Sequence, residues 1–438
     1  MKLSNIPVKG TADWMPDEYN IRGYIFSIWR QVCTSFGYEE YLTPLLEYAD
    51  LYRAKSGEDV GGKELMIMTD RAGRELVIRP EMTPSVTRLV SRIYPQSVKP
   101  LRYFSIANFV RNEKPQRGRN REFWQLNFDI FGSQAVQSDI EIARISIDIL
   151  RAFNPPTGSY LLKINHRGLI DFLLTDILSL PKETHVPIIR LLDKYEKLTP
   201  EDFGRKLVEV GVSDDSIGKI REFIGSETLE SLLGIFPAMR DTKAMQELQI
   251  CMEDLRRQGY GDEVTFSPAV LRGFDYYTGI VFEMFDTNPV NTRSMFGGGR
   301  YNGLAALFGG ESFPAVGCAP GDEPMYLFLE SWGLLDDIRK KSLHSLIYIP
   351  LLGEQMSTDV LEVVRSLRAK GFIILEGGES QSIGKALEFA NKKKCLYTLL
   401  YGDEEKVQSS ITVKNMVDGN QTTVKIAEVA EYISGMQK

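Results

Sequence analysis

Residues 111–129, RNEKPQRGRNREFWQLNFD, join a strongly basic loop directly to a segment with the alternation of a β-strand. Five basic residues share the loop with a single acid, Glu113: Arg111, Lys114, Arg117, Arg119 and Arg121. Arginines suit a triphosphate because they remain charged and bind oxygen atoms in pairs. The alternative interpretation is a solvated hairpin with a basic turn.

Three polar side chains follow the basic loop at alternate positions, Gln125, Asn127 and Asp129. Successive side chains of a strand point to opposite faces, so these three share one face while Phe128 and Ile130 take the other. A polar stripe on an otherwise apolar strand predicts a polar cleft above a sheet.

Working outward from this loop, the sequence predicts a mixed core. The pattern favours strands over 101–113, 121–132 and 160–168, a strand over 38–47 interrupted by Pro44, a hairpin of 64–70 with 74–80, and helices over 15–37 and 138–154. Polar-faced helical segments then fill 169–262, which indicates an inserted helical domain. Strand character returns near 264, and FGGGRYNGL, residues 296–304, is interpreted as a glycine-rich turn.

Strands and helices alternate from residue 342 onward, which is typical of a separate α/β domain. We therefore predict four segments: a catalytic core in two parts (1–168 and 263–334), a helical insertion (169–262) and a C-terminal α/β domain (342–438).

Composition narrows the function classes. The chain has 438 residues with 43% hydrophobic and 25% charged residues, as in a globular protein, and no secretory leader or membrane-length apolar run is visible, which predicts a cytoplasmic location. Four scattered cysteines and three scattered histidines argue against a metal site made of protein ligands alone. The net charge of −7 argues against nucleic acid, although a local basic loop can bind phosphate on an acidic protein.

Two further stretches carry polar groups where core residues are expected. In IRPEMT, residues 78–83, Arg79, Glu81 and Thr83 would share one strand face, and a carboxylate beside a hydroxyl can hold an ammonium group. In RGFDYYTGIVFE, residues 272–283, a guanidinium, a carboxylate and two phenols precede an apolar run. The alternatives are a strand-end salt bridge and a structural Arg–Asp pair with aromatic packing.

The order of these motifs resembles one family. IRPEMT, RNEKPQRGRNREFWQ, RGFDYYTGIVFE, GGGRYNGL and a C-terminal α/β domain resemble histidyl-tRNA synthetase, a class II aminoacyl-tRNA synthetase, over essentially the whole chain. The resemblance implies an α+β catalytic core built on a mostly antiparallel sheet, the class II synthetase fold, with a helical insertion and a C-terminal α/β anticodon-binding domain. It implies a homodimer with Pro44 at its interface.

The resemblance also implies an activity. L-histidine would react with ATP and Mg²⁺ to form histidyl adenylate and pyrophosphate, and histidine would then move to the 3′ end of tRNA(His). Such chemistry needs two anions brought together and phosphate charge dispersed, which a site rich in arginine provides.

Site residues are carried over one at a time. Glu81, Met82 and Thr83 would surround the α-ammonium group of histidine with help from Gln125, and Asp129, Tyr276 and Tyr277 would read the imidazole. Arg111 and Arg272 would grip the α-phosphate and the substrate carboxylate as the catalytic pair. Glu113, Arg119 and Arg121 would seat ATP and its magnesium.

Two positions depart from the family pattern. Residue 82 is methionine where a small residue is usual, and Pro324 in GCAPGDEPM stands where the third class II motif has an arginine for the γ-phosphate. Some histidyl enzymes have GD followed by an apolar residue there, so we interpret it as a feature of a branch. The competing hypothesis is a catalytically silent paralogue that regulates histidine biosynthesis.

Overall fold

The structure is a computed structural model that describes residues 4–53, 64–195, 198–271, 277–309, 311–342 and 346–436. The chain divides into two compact units, Met1–Asp336 and Asp337–Lys438. Within these described residues, no helix is both long and apolar enough to span a bilayer. The finer domain boundaries proposed from the sequence stay predictions.

Strands and helices follow one another in no fixed order along the first unit. Its strands are β1 (Glu39–Glu40), β2 (Leu46–Tyr48), β3 (Met66–Thr69), β4 (Glu75–Ile78), β5 (Leu101–Val110), β6 (Glu122–Phe131), β7 (Tyr160–His166), β8 (Val264–Phe266), β9 (Ile280–Asp286), β10 (Ser294–Arg300) and β11 (Ala315–Cys318). Its helices are α1 (Pro16–Ser35), α2 (Ala49–Arg53), α3 (Thr83–Ile93), α4 (Val136–Arg151), α5 (Arg167–Phe172), α6 (Lys182–Leu192), α7 (Pro200–Glu209), α8 (Asp214–Ile224), α9 (Leu229–Ile235), α10 (Lys243–Leu255) and α11 (Asp322–Ser331), and α12 (Leu335–Ser342) follows.

Eight strands form the main sheet, in the order β1-β5-β6-β11-β10-β9-β7-β8. The five inner pairings are antiparallel, and only the outer pairs β1–β5 and β7–β8 are parallel. The predicted mostly antiparallel core is therefore confirmed. A second antiparallel sheet, β2-β4-β3, contains the predicted hairpin around residues 71–73.

The β5–β6 hairpin is the centre of the sheet and matches the sequence prediction. Its ten residue pairs run without interruption from Leu101 opposite Phe131 to Val110 opposite Glu122. Phe128 and Ile130 are fully buried, as expected of their face. Helix α4 packs across β6, β9 and β11 and covers this apolar side of the sheet with its row of isoleucines.

Two predicted elements were wrong in detail. The single strand expected over 38–47 is split: β1 pairs with the main sheet and β2 with the small sheet, because Pro44 between them cannot donate a ladder hydrogen bond. The glycine-rich turn is also wrong, since Phe296–Arg300 lie in β10. A Cβ atom at Gly298 would lie 2.1 Å from the carbonyl oxygen of Gly317, so the glycine serves close strand approach.

The second unit is an α/β domain with its own core. Its elements are β12 (Leu346–Leu351), α13 (Thr358–Ala369), β13 (Ile373–Ser380), α14 (Ile383–Lys392), β14 (Tyr397–Leu400), α15 (Asp403–Gln408), β15 (Ser410–Asn415), β16 (Gln421–Lys425) and α16 (Val429–Gly435). The sheet order is β13-β12-β14-β15-β16. Its first three strands are parallel, as alternating strands and helices predict, and the last two add an antiparallel edge.

Candidate active site

A cavity of about 960 Å³ opens over the polar face of the main sheet, with walls from β6, β7, β9, β10 and β11. Eight of the twelve predicted site residues line it: Glu81, Thr83, Arg111, Glu113, Arg119, Gln125, Asp129 and Tyr277. Sequence segments as far apart as 81 and 277 therefore meet around one space.

Four predicted site residues are not among those that line the cavity. Met82 is fully buried and its sulfur accepts a hydrogen bond from Thr43 Oγ1 at 3.3 Å, so it belongs to the core. Arg121 turns to the backbone, where its guanidinium donates to the carbonyl of Glu113 at 3.1 Å. Arg272 and Tyr276 belong to 272–276, which lie outside the described residues.

The segment IRPEMT is not one strand, which corrects the predicted shared face. Strand β4 ends at Ile78 and α3 begins at Thr83, because Pro80 lacks a strand donor and Pro84 suits a first helical turn. Glu81 lies in the connection, 5% exposed, and the Tyr52 hydroxyl donates to its backbone carbonyl at 3.1 Å. A helix start, and not a strand face, therefore brings Glu81 and Thr83 to the same cavity.

The polar stripe of β6 forms the floor of the cavity, as the alternation predicted. Gln125 donates to the carbonyl of Ala319 at 3.1 Å, which ties β6 to the segment after β11. Asn127 is 3% exposed, and its buried amide nitrogen has no hydrogen-bond partner among the described residues. A buried donor without a partner is costly, so this amide is suited to a ligand oxygen or nitrogen atom.

Asp129 is the acidic residue of the polar stripe that forms the floor. It is 5% exposed and accepts a 2.5 Å hydrogen bond from the Tyr301 hydroxyl. Burial raises the pKa of Asp129 to about 7, while the hydrogen bond from Tyr301 opposes the rise. A Cβ atom at Gly317 would lie 1.8 Å from Asp129 Oδ1, so glycine on the neighbouring strand makes room for the carboxylate.

Arg111 lies at the opposite end of β6. Its guanidinium carbon is 5.0 Å from the centre of the Phe123 ring, and its Nε donates to the carbonyl of Pro80 at 3.0 Å. Phe123 also lines the cavity, and its role as a platform was not predicted. Phe123 and Asp129 are six residues apart, so the two ends of the stripe are separated by ~20 Å at ~3.4 Å per residue.

The basic loop closes on itself above this end. Gln116 and Arg119 exchange backbone hydrogen bonds of 3.0 and 2.9 Å across a turn at Gly118, which has a φ of +75°. Arg119 also forms a 3.0 Å ion pair with Glu113. The cavity thus carries a cationic rim with one carboxylate held beside the arginines.

The third motif begins α11 beside the cavity. Asp322 is fully buried, accepts a hydrogen bond from the Trp124 backbone at 2.9 Å and forms an ion pair with Arg22. Arg22 also reaches Glu323 at 2.7 Å. Burial raises the pKa of Asp322 to about 6, against the lowering effect of Arg22. Pro324 lines the cavity in the first turn of α11, where a proline needs no backbone donor.

Several cavity residues were missed by the sequence reasoning. Tyr301, Lys163, Glu283 and Arg293 all line the cavity. Tyr301 lies 172 positions from its partner Asp129. The alternation of Lys163 and Glu283 within β7 and β9 was the available signal, and the two are directly opposite in the register.

This arrangement joins an acidic, deeply buried end to a cationic, open end. The first can hold a small ligand with hydrogen-bond donors, and the second can hold a polyphosphate. An amino acid at the acidic end and a nucleoside triphosphate at the cationic end would approach each other near Arg111. There the guanidinium would disperse the charge on a reacting phosphate.

Comparisons with known proteins agree with this reading. The family model for histidyl-tRNA synthetase matches residues 10–321, and that for the anticodon binding domain matches 347–436. The histidine–tRNA ligase of Leptospira biflexa serovar Patoc is 38% identical over 99% of this chain and 98% of its own length. That of Pyrococcus furiosus is 32% identical over 98% and 99%. The histidyl-tRNA synthetase structure from Nostoc sp. PCC 7120 shares the fold, with a TM-score of 0.83 and 21% identity over 99% of this chain and 100% of that one.

The antiparallel core, together with the match to the histidyl-tRNA synthetase family model over residues 10–321, identifies a class II aminoacyl-tRNA synthetase. Within that class, the chain belongs to the histidyl-tRNA synthetase family.

Proposed function

We propose that the protein is a histidine–tRNA ligase, which activates L-histidine with ATP and transfers it to tRNA(His). The observation that carries this proposal is the cavity itself, in which the buried Asp129–Tyr301 pair and the arginine-rich rim lie at opposite ends of one strand. The full-length relatives that bear the name histidine–tRNA ligase support the same activity.

At the acidic end, Asp129 accepts a hydrogen bond from one imidazole nitrogen, and a phenol from Tyr276 or Tyr277 engages the other. This pattern rejects most other amino acids because their side chains would leave the buried acid without a donor. Glu81, Thr83 and Gln125 hold the α-ammonium group, with Met82 packed behind them. The amide nitrogen of Asn127, which has no hydrogen-bond partner within the described part of the chain, adds a further donor to this end.

In the first reaction, a carboxylate oxygen of histidine attacks the α-phosphorus of ATP. The bond to the bridging oxygen of pyrophosphate breaks, and histidyl adenylate and pyrophosphate result. Arg111 and Arg272 act by neutralising the histidine carboxylate and the α-phosphate as they approach, since the reaction needs positioning and charge dispersal and no covalent enzyme intermediate. Phe123 supplies a flat surface beside Arg111 for the base of ATP.

Glu113 and Arg119 hold the ATP, and Arg121, which does not line the cavity, supports the loop through the carbonyl of Glu113. The Glu113 carboxylate lines the cavity and is 12% exposed, which fits Mg²⁺, an ion bound by one or two carboxylates together with substrate phosphates. When bound, the magnesium ion would neutralise phosphate charge.

In the second reaction, a hydroxyl oxygen at the 3′ end of tRNA(His) attacks the carbonyl carbon of histidyl adenylate, and AMP leaves. The C-terminal unit binds the anticodon. The assignment of anticodon binding to the C-terminal unit rests on the family model for the anticodon binding domain, which matches residues 347–436. The activity belongs to translation, and we propose that the protein acts in the cytoplasm, where its four buried free thiols remain reduced.

We also propose that the protein is a homodimer. Large apolar side chains are exposed around Pro44 and on the small sheet β2-β4-β3: Leu42, Leu45, Leu46, Tyr48, Ile67 and Met68. A cluster of this kind is typical of a surface that another chain covers, and a second copy fits because Pro44 lies where the family resemblance places the interface. Light scattering should report a dimer, and Leu46→Asp should produce monomers while Val407→Asp, at a more exposed apolar position elsewhere, should not.

The regulatory paralogue is less favoured. The family models match both the catalytic region and the C-terminal domain, and the predicted residues Arg111, Glu113, Gln125 and Asp129 are all present. Pro324 is the one feature in its favour.

The deciding experiment is ATP–pyrophosphate exchange with each of the twenty amino acids. We expect exchange with histidine alone, followed by charging of tRNA(His) when tRNA is added. Absence of exchange, with histidine still binding in calorimetry, would instead support the regulatory paralogue.

A further inference from the structure

The cavity rim lacks one cation that the family resemblance predicts. Pro324 occupies the place where the family resemblance expects an arginine for the terminal phosphate, and its ring has no hydrogen-bond donor. A site that binds a triphosphate needs positive charge at this end. The neighbouring rim residues Arg117 and Arg293 are candidates, and both line the cavity.

The connection between β9 and β10, which contains Arg293, lies along α11, the helix that contains Pro324. In this connection, Asn291 Nδ2 donates to the carbonyl of Leu327 at 3.4 Å. Asn288 Nδ2 donates to the carbonyl of Ser331 at 3.3 Å, so the connection is fastened along α11. Leu327 lies three residues after Pro324, which places both on one side of α11.

The basic loop meets the same place. Arg293 Nη2 donates to Oε1 of Gln116 at 3.0 Å, which links the β9–β10 connection to the loop. A Cβ atom at Gly118 would be 3.3 Å from Leu327 Cδ1, so the loop packs against the same turn of α11. Three segments therefore meet beside the turn of α11 that contains Pro324 and Leu327.

Three arginines of the rim, Arg117, Arg119 and Arg293, differ in the groups that they contact. Arg119 pairs with the Glu113 carboxylate at 3.0 Å, and Arg117 lies 3.8 Å from the Glu330 carboxylate. Arg293 donates to the neutral amide of Gln116. Of these three contacts, only that of Arg293 leaves the cationic charge without a carboxylate to offset it.

The geometry points to Arg293, oriented by Gln116, as the residue that binds the β- and γ-phosphates of ATP in place of the third-motif arginine. This inference rests on the proposed function. Arg293 contacts only the part of ATP that leaves as pyrophosphate, so it strengthens ATP binding without touching histidine or the adenosine.

The test compares ATP with AMP. In calorimetry, Arg293→Ala should weaken ATP binding roughly 10- to 100-fold, the range of a charge-assisted hydrogen bond, and leave AMP binding unchanged. In pyrophosphate exchange, the KM for ATP should rise by a similar factor with the KM for histidine unaltered. Arg293→Lys should recover part of the loss, because it keeps the charge but not the paired donors.

Two control variants make the outcome decisive. Arg205→Ala removes an exposed arginine of α7 that pairs with Asp202, and it should change neither ligand. Arg117→Ala tests the rival cation at the rim. The inference is overturned if Arg293→Ala binds ATP normally, if it loses ATP and AMP equally, or if Arg117→Ala alone shows the selective loss. Histidine-dependent exchange by the unaltered enzyme judges the proposed function separately, and the binding comparison does not depend on turnover.

Discussion

Two buried aspartates differ in their partners: Asp129, which lies in β6, and Asp322, which accepts a hydrogen bond from the β6 backbone. Asp322 is neutralised by the guanidinium of Arg22 and further held by the Trp124 backbone. Both aspartates line the cavity, but Asp129 accepts its hydrogen bond from the neutral phenol of Tyr301. Burial raises the pKa of both. Burial alone therefore does not distinguish a structural acid from a ligand-binding acid, whereas the partner does.

The largest expected effect is a loss of stability when Arg22, the partner of the structural acid Asp322, is replaced. Arg22 is 2% exposed and lies between the rings of Trp14 and Tyr326, 4.8 Å from each. Arg22→Met should lower the free energy of unfolding by ~3–5 kcal/mol, because it leaves Asp322 buried and unpaired. Urea denaturation measures this loss.

The double variant Arg22→Met, Asp322→Asn is the control. It removes both charges and should recover much of the stability that the single variant loses. A loss below ~1 kcal/mol in the single variant would mean that the pair behaves like an exposed one.

Replacement of the ligand-binding acid, Asp129→Asn, should weaken histidine binding while the protein remains folded. It replaces an anionic acceptor with a neutral amide, so the KM for histidine in pyrophosphate exchange should rise ~100-fold, the upper range of a hydrogen bond to a charged group. Its stability at pH 8 should be unchanged or higher, because the ionised form of Asp129 is disfavoured by burial.

Asp322→Asn is the matched variant for this prediction. It should shift the urea midpoint and leave the KM for histidine within ~3-fold, since a surviving fold keeps the acidic end intact. If both variants raised the KM equally, the distinction between the two acids would be lost.

The smallest effect is a pH dependence. The pKa of Asp129 is raised to about 7, so the carboxylate gains a proton as the pH falls through that value and ceases to accept from the imidazole. The KM for histidine should therefore rise as the pH falls from 8 to 6. Tyr301→Phe should move the inflection to higher pH, because the Tyr301 hydrogen bond lowers the pKa of Asp129.

Asp129→Asn supplies the reference profile for this measurement. Titration of the histidine substrate itself then remains as the source of pH dependence, near its ordinary pKa of about 6.5. Identical profiles for all three enzymes would show that Asp129 does not titrate in this range.

The sequence predicted the site best where it depends on local periodicity. Gln125, Asn127 and Asp129 share the polar face of β6 because a strand alternates with a period of two, and that rule needs no knowledge of tertiary structure. The α/β pattern of the second unit was predictable for the same reason.

The failures occur where distant segments meet. Glu81 was placed on a strand face, although two prolines end the strand and begin a helix around it. Tyr301 and Arg293 gave no local signal, because their partners are 172 and 177 positions away. Arg22 lies among buried residues of α1, and its partners in the third motif are 300 and 301 positions distant.

The close approach of Gly317 to Asp129 has a consequence for how this protein can be altered. A side chain at residue 317 would occupy the space of the carboxylate, and one at Gly298 would collide with the backbone of residue 317. The shape of the pocket and the packing of the strands therefore depend on the same two glycines. Libraries that aim to change amino-acid choice should vary Asp129 and residue 317 together, because a side chain at residue 317 has no room while the Asp129 carboxylate is present.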